Sequence, residues 1–171
     1  MYNTLIRNIL RFVGLLILQV LIVDNIRLGN FIHPCVYVLY VMILPFDTPK
    51  WSLMINGFLI GFAVDLFNGT PGLNAAATVL MACVRPRIIA LTTRKSDIDG
   101  KTAPTVSEMG LQWFFPYMIM LLIIHNLALF ILEAFSFHLI GLVLLETLLS
   151  VIISSFTIVL VIYVFKPIKN K

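Results

Sequence analysis

The chain has 171 residues, of which 60% are hydrophobic and only 12% are charged, and its formal net charge is +4. A soluble domain is about 45–50% apolar and about 25% charged, so this composition excludes an ordinary soluble fold and predicts one membrane domain over residues 1–171. The basic residues lie at the borders of apolar runs, which argues against binding to nucleic acid.

Six apolar runs follow one another along the chain. A helix needs about 20 apolar residues to cross the hydrocarbon core of a bilayer, and five of the runs come close to that length or exceed it. The second run is shorter and contains His33-Pro34, so a re-entrant segment is the alternative to a crossing there. The predicted helices are approximately 6–23, 31–46, 51–67, 73–91, 111–132 and 139–165, and the predicted polar loop is 92–110.

The distribution of lysine and arginine predicts the orientation of these helices. With six crossings and the N-terminus inside, eleven of the twelve basic residues lie inside and only Arg27 lies outside. Cytoplasmic loops carry such an excess, so both termini are predicted to be cytoplasmic. A re-entrant second run would invert every later segment and abolish this bias. We therefore interpret 31–46 as a crossing and predict an all-α bundle of six transmembrane helices.

Residues 51–87 form an apolar hairpin whose two arms are joined by Gly-Thr-Pro-Gly at 69–72, a sequence typical of tight turns. The first arm places Gly57, Gly61 and Asp65 at steps of four, which stay close to one face of a helix. Glycines at this spacing allow the close approach of another helix, either within the bundle or in a partner protein.

Asp65 lies near the predicted outer end of the third helix. A charged acid within hydrocarbon costs about 2.5–3.5 kcal/mol on insertion scales, so it needs a partner group or a wet cavity. One interpretation is a buried acid that fixes the tip of the hairpin or binds a partner. The other interpretation is an acid that reaches the outer interface beside Asn68. A local role in accepting backbone N–H groups near Thr70 or Gly72 is compatible with both interpretations.

At the far end of the hairpin, Arg85-Pro86-Arg87 is expected to end or kink the fourth helix at the inner interface. The charges there would hold the topology and meet anionic lipid, and a site for a partner is the alternative interpretation. Both interpretations place Arg85 at the membrane border rather than in the core of the bundle.

Glu133 and Glu146, together with His125 and His138, are candidates for a polar site in the outer leaflet. The alternative is that Glu133 and His138 reach the interface while Glu146 makes one internal hydrogen bond. The chain contains no catalytic signature and no histidine or cysteine spacing typical of a metal site, so we predict no enzyme activity, no metal and no cofactor.

In residues 51–87 the chain resembles the MreD family of bacterial rod-shape-determining membrane proteins. Residues 44–49, Leu-Pro-Phe-Asp-Thr-Pro, are similar to members from Bacteroides-like bacteria. The resemblance is carried by Gly57, Phe58, Gly61, Asp65, Leu66 and Phe67, then by Thr70, Pro71 and Gly72, and finally by Arg85 and Pro86.

The resemblance implies a non-enzymatic component of the cell-wall elongation machinery in the bacterial inner membrane. Such proteins accompany MreC and link MreB filaments to the peptidoglycan synthases, which are a RodA-type glycosyltransferase and a penicillin-binding transpeptidase. It also implies a fold similar to that of the substrate-capture subunits of vitamin transporters. Our hypothesis is that the hairpin of the third and fourth helices docks a partner helix or an outer segment near Asp65, and self-association stays open.

The alternative function is a small-molecule binding subunit of a membrane transporter. It would use the outer acids and the aromatic residues Phe135 and Phe137 around a pocket. It predicts a cavity that opens to the outside and holds a vitamin-like ligand. The scaffold reading predicts instead a bundle that is filled by its own side chains or by lipid.

Overall fold

The computed structural model describes residues 2–25, 33–70, 72–93, 102–134 and 140–164, with side chains from residue 6 onward. Within these ranges every regular element is a helix, and five helices are long and apolar enough to cross a membrane, as in a multi-pass membrane protein. The helices are α1 Tyr2–Leu18, continued by a π-helical turn Gln19–Val23, α2 Leu39–Met42, α3 Lys50–Asn68, α4 Leu73–Thr92, α5 Val106–Met109, α6 Leu111–Ala134 and α7 Ile140–Val164.

Polar and apolar side chains are arranged inversely to those of a soluble protein. Large apolar side chains are exposed along all five long helices, for example Leu66 by 68% and Phe156 by 71%. Several polar side chains, including Thr78 and Asn126, are fully buried. This arrangement suits lipid as the solvent. The polar groups are kept inside the bundle, where they can bond to one another, and apolar side chains face outward.

The helices share two ends. At the turn end, α3 passes into α4 through the turn at 69–72. At the basic end, the start of α1 lies beside α5 and the last turns of α7, because Arg7, Val106 and Val161 line one cleft. The described lysines and arginines all lie toward the basic end: Arg7, Arg11, Lys50, Arg85 and Arg87.

Helix α4 lies at the centre of the bundle. It packs against α3 on one side and against α6 on another, and α6 packs in turn against α7. Helix α1 lies beside α2 and α3. Two parts of the loop predicted at 92–110 are helical, since α4 continues to Thr92 and α5 forms before α6 begins.

Residues 33–46 do not form the regular helix predicted over 31–46. The chain has no regular structure over 33–36, turns, and forms only the four residues of α2. Pro34 has no N–H group to offer a helix, and it favours extended backbone at the residue before it. This broken segment, residues 33–46, lies inside the bundle, and every residue from Pro34 to Met42 is buried.

Side chains of the surrounding helices satisfy the backbone of the broken segment. Oε1 of Gln19 accepts the N–H groups of Val36 at 2.8 Å and Tyr37 at 3.3 Å. The hydroxyl of Ser154 on α7 accepts the N–H of Cys35 at 2.9 Å. Irregular backbone is stable at membrane depth only where protein groups replace the missing helical hydrogen bonds, and these side chains supply them.

The broken segment runs alongside α4 from the turn end toward the basic end. Near its start, the Tyr37 hydroxyl meets Asn74 in the first turn of α4. Near its end, the carbonyl of Leu44 meets Arg85. Asn74 and Arg85 are eleven residues apart on one helix, a distance of about 16 Å at the helical rise of 1.5 Å per residue.

Candidate functional site

The carboxylate of Asp65 lies at the junction of α3 and α4 and is only 3% exposed. Its Oδ1 accepts the hydroxyl of Thr70 at 2.8 Å and the backbone N–H of Asn74 at 3.0 Å. Its Oδ2 accepts the backbone N–H of Ala75 at 2.9 Å. Asn74 and Ala75 belong to the first turn of α4, whose N–H groups have no partner within the helix. Asp65 therefore caps α4, where the helix dipole favours negative charge.

The backbone carbonyl of Asp65 ends the preceding helix in the same turn. It accepts the N–H groups of Gly69 and Thr70. Gly69 has φ 68° and Gly72 has φ 85°, left-handed values that glycine adopts without steric cost. Asp65 thus caps the end of α3 with its backbone carbonyl and the start of α4 with its side chain. Pro71 lies outside the described residues.

A chain of buried side chains leads from Asp65 into the bundle. The Asn74 amide donates to Asp65 at 3.0 Å, and its carbonyl oxygen accepts the Tyr37 hydroxyl at 2.9 Å. The Tyr37 oxygen lies 2.9 Å from Nε2 of His125. Because the hydroxyl proton is used on Asn74, we assign the proton between Tyr37 and His125 to Nε2. Nδ1 of His125 is then an acceptor, without a hydrogen-bond partner in the described part of the chain.

Gly57 and Gly61 face α4. A Cβ atom at Gly61 would lie 2.6 Å from the carbonyl oxygen of Asn74 and 2.7 Å from Cα of Ala75. A Cβ atom at Gly57 would lie 3.2 Å from the carbonyl oxygen of Thr78. The glycines therefore let the two helices meet backbone to backbone. The helix face that the sequence hypothesis offered to a partner is covered by α4 of the same chain.

Arg85 lies between α4, α6 and the broken segment and is only 1% exposed. Its Nε donates to the Tyr117 hydroxyl at 3.0 Å, and a terminal nitrogen donates to the carbonyl oxygens of Met42 and Leu44. The Tyr117 hydroxyl also donates to the Met42 carbonyl at 2.9 Å. These carbonyls lie at the C-terminal end of α2, where positive charge is favoured. Arg85 is thus the cationic counterpart of Asp65.

The sequence predicts that Arg85-Pro86-Arg87 ends or kinks the fourth helix at the inner interface, and of these two outcomes the end is wrong. Helix α4 continues beyond Pro86 to Thr92. Arg85 lies in the core because its guanidinium donates to backbone carbonyls of the broken segment, whereas Arg87 is exposed. The end of α4 is instead bonded by Trp113, whose indole N–H lies 3.0 Å from the Thr92 carbonyl oxygen.

We expect Arg85→Met to lower the free energy of unfolding by about 2–4 kcal/mol, because the carbonyls of Met42 and Leu44 lose a charged donor in a buried site. Arg87→Met is the matched control, and an exposed change of this kind shifts stability by about 0.5 kcal/mol or less. Denaturant unfolding in detergent, followed by circular dichroism, measures both. Equal losses of stability in the two variants would contradict this role for Arg85.

Glu133 and Glu146 are neighbours at the turn end. Glu146 interacts electrostatically with both Glu133 and His33. Glu133 is exposed, and Glu146 is partly exposed. His125, grouped with them in the sequence analysis, lies in the core instead, and His138 lies outside the described residues. Across the described ranges, no group of three or more His, Cys, Asp or Glu side chains is placed to hold a metal ion.

A cleft of about 600 Å³ opens at the basic end between α1, α5 and α7. Its walls include Leu10, Leu15 and Val161, and its lining also includes Arg7 and Arg11. The volume falls within the range of about 300–1,000 Å³ that is usual for small-molecule sites. The cleft lies at the opposite end of the bundle from the pocket that the transporter alternative predicts.

The sequence analysis did not single out Gln19, Tyr37 or Asn74, which hold the broken segment and the first turn of α4. The signal that could have found Gln19 is its isolation as a polar residue within an apolar run, since such residues need an internal partner. Tyr37 and Asn74 carry no such signal. Their bond joins two segments whose proximity only the folded chain determines.

Comparisons of the chain with protein-family models, with curated proteins and with solved structures find no significant match. The family resemblance therefore remains a prediction that rests on the motif in residues 51–87. The structure divides that motif into two sets of side chains. Gly57, Gly61 and Asp65 are buried and join α3 to α4, whereas Phe58 is 49% exposed on the outer surface of the bundle.

Proposed function

We propose that this chain is a non-enzymatic scaffold of the bacterial cell-wall elongation machinery, as its resemblance to the MreD family implies. In this proposal it lies in the inner membrane and links MreC and MreB to the peptidoglycan synthases. The observation that carries the proposal is the meeting of the motif's spaced residues at one junction, where Gly61 and Asp65 both contact the start of α4. Residues of a motif that maintains a fold are expected to contact one another in this way, whereas residues that match a motif by chance are not.

The topology that we propose has six crossings with both termini in the cytoplasm. Five crossings are the long helices, and the sixth is the broken segment 33–46. Support comes from its course alongside α4 and from the bonds that side chains make to its backbone. The concentration of described lysines and arginines toward one end supports a cytoplasmic basic end.

A scaffold is favoured over an enzyme by the use of the buried polar groups. The carboxylate of Asp65 and the guanidinium of Arg85 each bond to backbone groups at a helix end. The side chains of Asn74 and Tyr37 extend the first of these networks toward His125. Polar groups whose hydrogen bonds are already made to backbone and to other buried side chains hold helices together, and they are poorly placed to take part in a reaction.

The partner surface that we propose is the outer face of α3 around Phe58. Phe58 and Phe62 stack on each other with ring centroids 5.5 Å apart, and they are 49% and 42% exposed. Phe58 belongs to the motif, yet about half of its surface is exposed. An exposed motif residue is a candidate for recognition, and aromatic side chains are enriched in such interfaces.

The test is an affinity pull-down of the tagged chain from native membranes in mild detergent, read by mass spectrometry. We expect MreC to be recovered with the elongation synthases. The double variant Phe58→Ala/Phe62→Ala should reduce that recovery at least tenfold, because loss of an aromatic anchor costs about 2 kcal/mol or more. The double variant Phe156→Ala/Leu160→Ala removes exposed apolar side chains from α7 at the same spacing and should leave recovery unchanged.

Two results would contradict the proposal. Recovery of a transport ATPase and its membrane coupling subunit would favour the small-molecule alternative. Recovery of MreC equally with the α3 and the control variants would move the partner surface away from Phe58. Circular dichroism of each purified variant shows that the variant is folded, so loss of binding is distinguished from loss of structure.

A further inference from the structure

Two arginines on α1 lie together at the basic end of the bundle. Arg7 and Arg11 are one helical turn apart, they interact as like charges, and both line the cleft at the basic end. Neither makes a hydrogen bond or an ion pair within the part of the chain that the structure describes. Arg11 is partly buried. Like charges at this spacing destabilise a helix, and partly buried cations are usually paired, so this pair of arginines is suited to bind an anion.

The cleft behind these arginines is apolar and deep. Along α1 its lining extends from Arg7 to Leu18, about 16 Å at 1.5 Å per residue. Leu39 and Ile43 of the broken segment line the cleft from within the bundle. Gly14 also lines the cleft, and a Cβ atom there would meet no other atom within 4 Å, so the space beside this glycine is open.

We propose that this cleft binds one anionic phospholipid from the leaflet at the basic end. The phosphate lies between Arg7 and Arg11, and an acyl chain follows α1 past Gly14 into the bundle. Thr105 and Ser107 line the same cleft, and their hydroxyls can donate to phosphate oxygens.

The charges at the cleft favour an anion over a zwitterion. Glu108 also lines the cleft, but it forms no ion pair with Arg7 or Arg11 in the described chain, and the three charges sum to +1. A free phosphate would use only the arginines and leave the apolar walls unfilled. A partner's helix would need an acid of its own at this depth. A phospholipid satisfies both the charge and the apolar walls, and this inference does not depend on the proposed function.

The test is native mass spectrometry of the purified full chain in neutral detergent, titrated with phosphatidylglycerol or phosphatidylcholine. We expect one retained phosphatidylglycerol molecule and little phosphatidylcholine. Since each interfacial arginine contributes about a fivefold gain for anionic lipid, Arg7→Gln/Arg11→Gln should weaken retention by about thirtyfold. The control Lys50→Gln/Arg87→Gln removes two exposed charges from the same end, outside the cleft, and should retain the lipid.

A second pair of variants tests the cleft without changing its charge. Gly14→Leu fills the cleft and should abolish retention, whereas Gly141→Leu places the same side chain at an exposed site on α7 and should not. Wild-type retention of the lipid in both Arg7→Gln/Arg11→Gln and Gly14→Leu would overturn the proposal. Retention of phosphatidylcholine equal to that of phosphatidylglycerol would also overturn it. Displacement of the lipid by inorganic phosphate at millimolar concentration would also overturn it, because the site would then be one for a free anion.

Discussion

Asp65→Ala should lower the free energy of unfolding by about 3–5 kcal/mol, the largest loss we expect from one substitution. The carboxylate accepts backbone N–H groups of Asn74 and Ala75 and the Thr70 hydroxyl in a buried site. Alanine leaves these donors unpaired and removes the negative charge from the start of α4. Denaturant unfolding in detergent, followed by helical circular dichroism, measures the loss.

Two further substitutions calibrate the effect at Asp65. Asp65→Asn keeps one oxygen acceptor but places an NH₂ group near a donor, so we expect about half the loss seen with alanine. Asp47→Ala removes an exposed acid at the other end of the bundle and should be neutral within about 0.5 kcal/mol. A loss at Asp65 no larger than that at Asp47 would show that the cap does not stabilise the fold.

Gly61→Ala should lower the free energy of unfolding by about 3 kcal/mol, the upper part of the usual cost of overpacking. The added Cβ atom would lie 2.6–2.8 Å from backbone atoms of Asn74 and Ala75, and backbone cannot move aside as a flexible side chain can. The helices must separate, which also weakens the bonds from α4 to Asp65. Reduced yield of folded protein and a lower midpoint of thermal unfolding are the expected readouts.

A series of alanine substitutions at three helical glycines tests this explanation. Gly57→Ala meets its nearest atoms at 3.2–3.3 Å, so we expect a loss of about 1 kcal/mol. Gly14→Ala meets nothing within 4 Å and should be neutral or slightly stabilising, since alanine is the better helix former. An order of effects other than Gly61, Gly57, Gly14 would contradict the close contact between α3 and α4.

These variants also separate fold from recognition. Asp65 and Gly61 both contact the start of α4 in the same chain. Their substitution should therefore lower the amount of folded protein rather than the affinity of folded protein for a partner. Phe58 is expected to behave in the opposite way, because about half of its surface is exposed and its ring stacks on that of Phe62. A pull-down normalised to folded protein distinguishes the two kinds of residue.

The amino-acid sequence by itself determined the class of fold. High apolar content and run length predicted long membrane helices, and five such helices are present in the described chain. The steps of four among Gly57, Gly61 and Asp65 predicted one shared face, and all three lie against α4. Local periodicity is sufficient for such predictions because the residues involved are neighbours on one helix.

Only the tertiary structure decided what fills the centre of the bundle. The apolar composition of residues 31–46 predicts a helix, but composition does not show that Gln19, Ser154 and Arg85 bond to the backbone of the broken segment in place of helical bonds. The sequence likewise placed Arg85 at a membrane border, because a cation in an apolar run is expected to reach water unless a partner is known. Its partners are backbone carbonyls about forty residues away, and a backbone carbonyl has no signature in sequence.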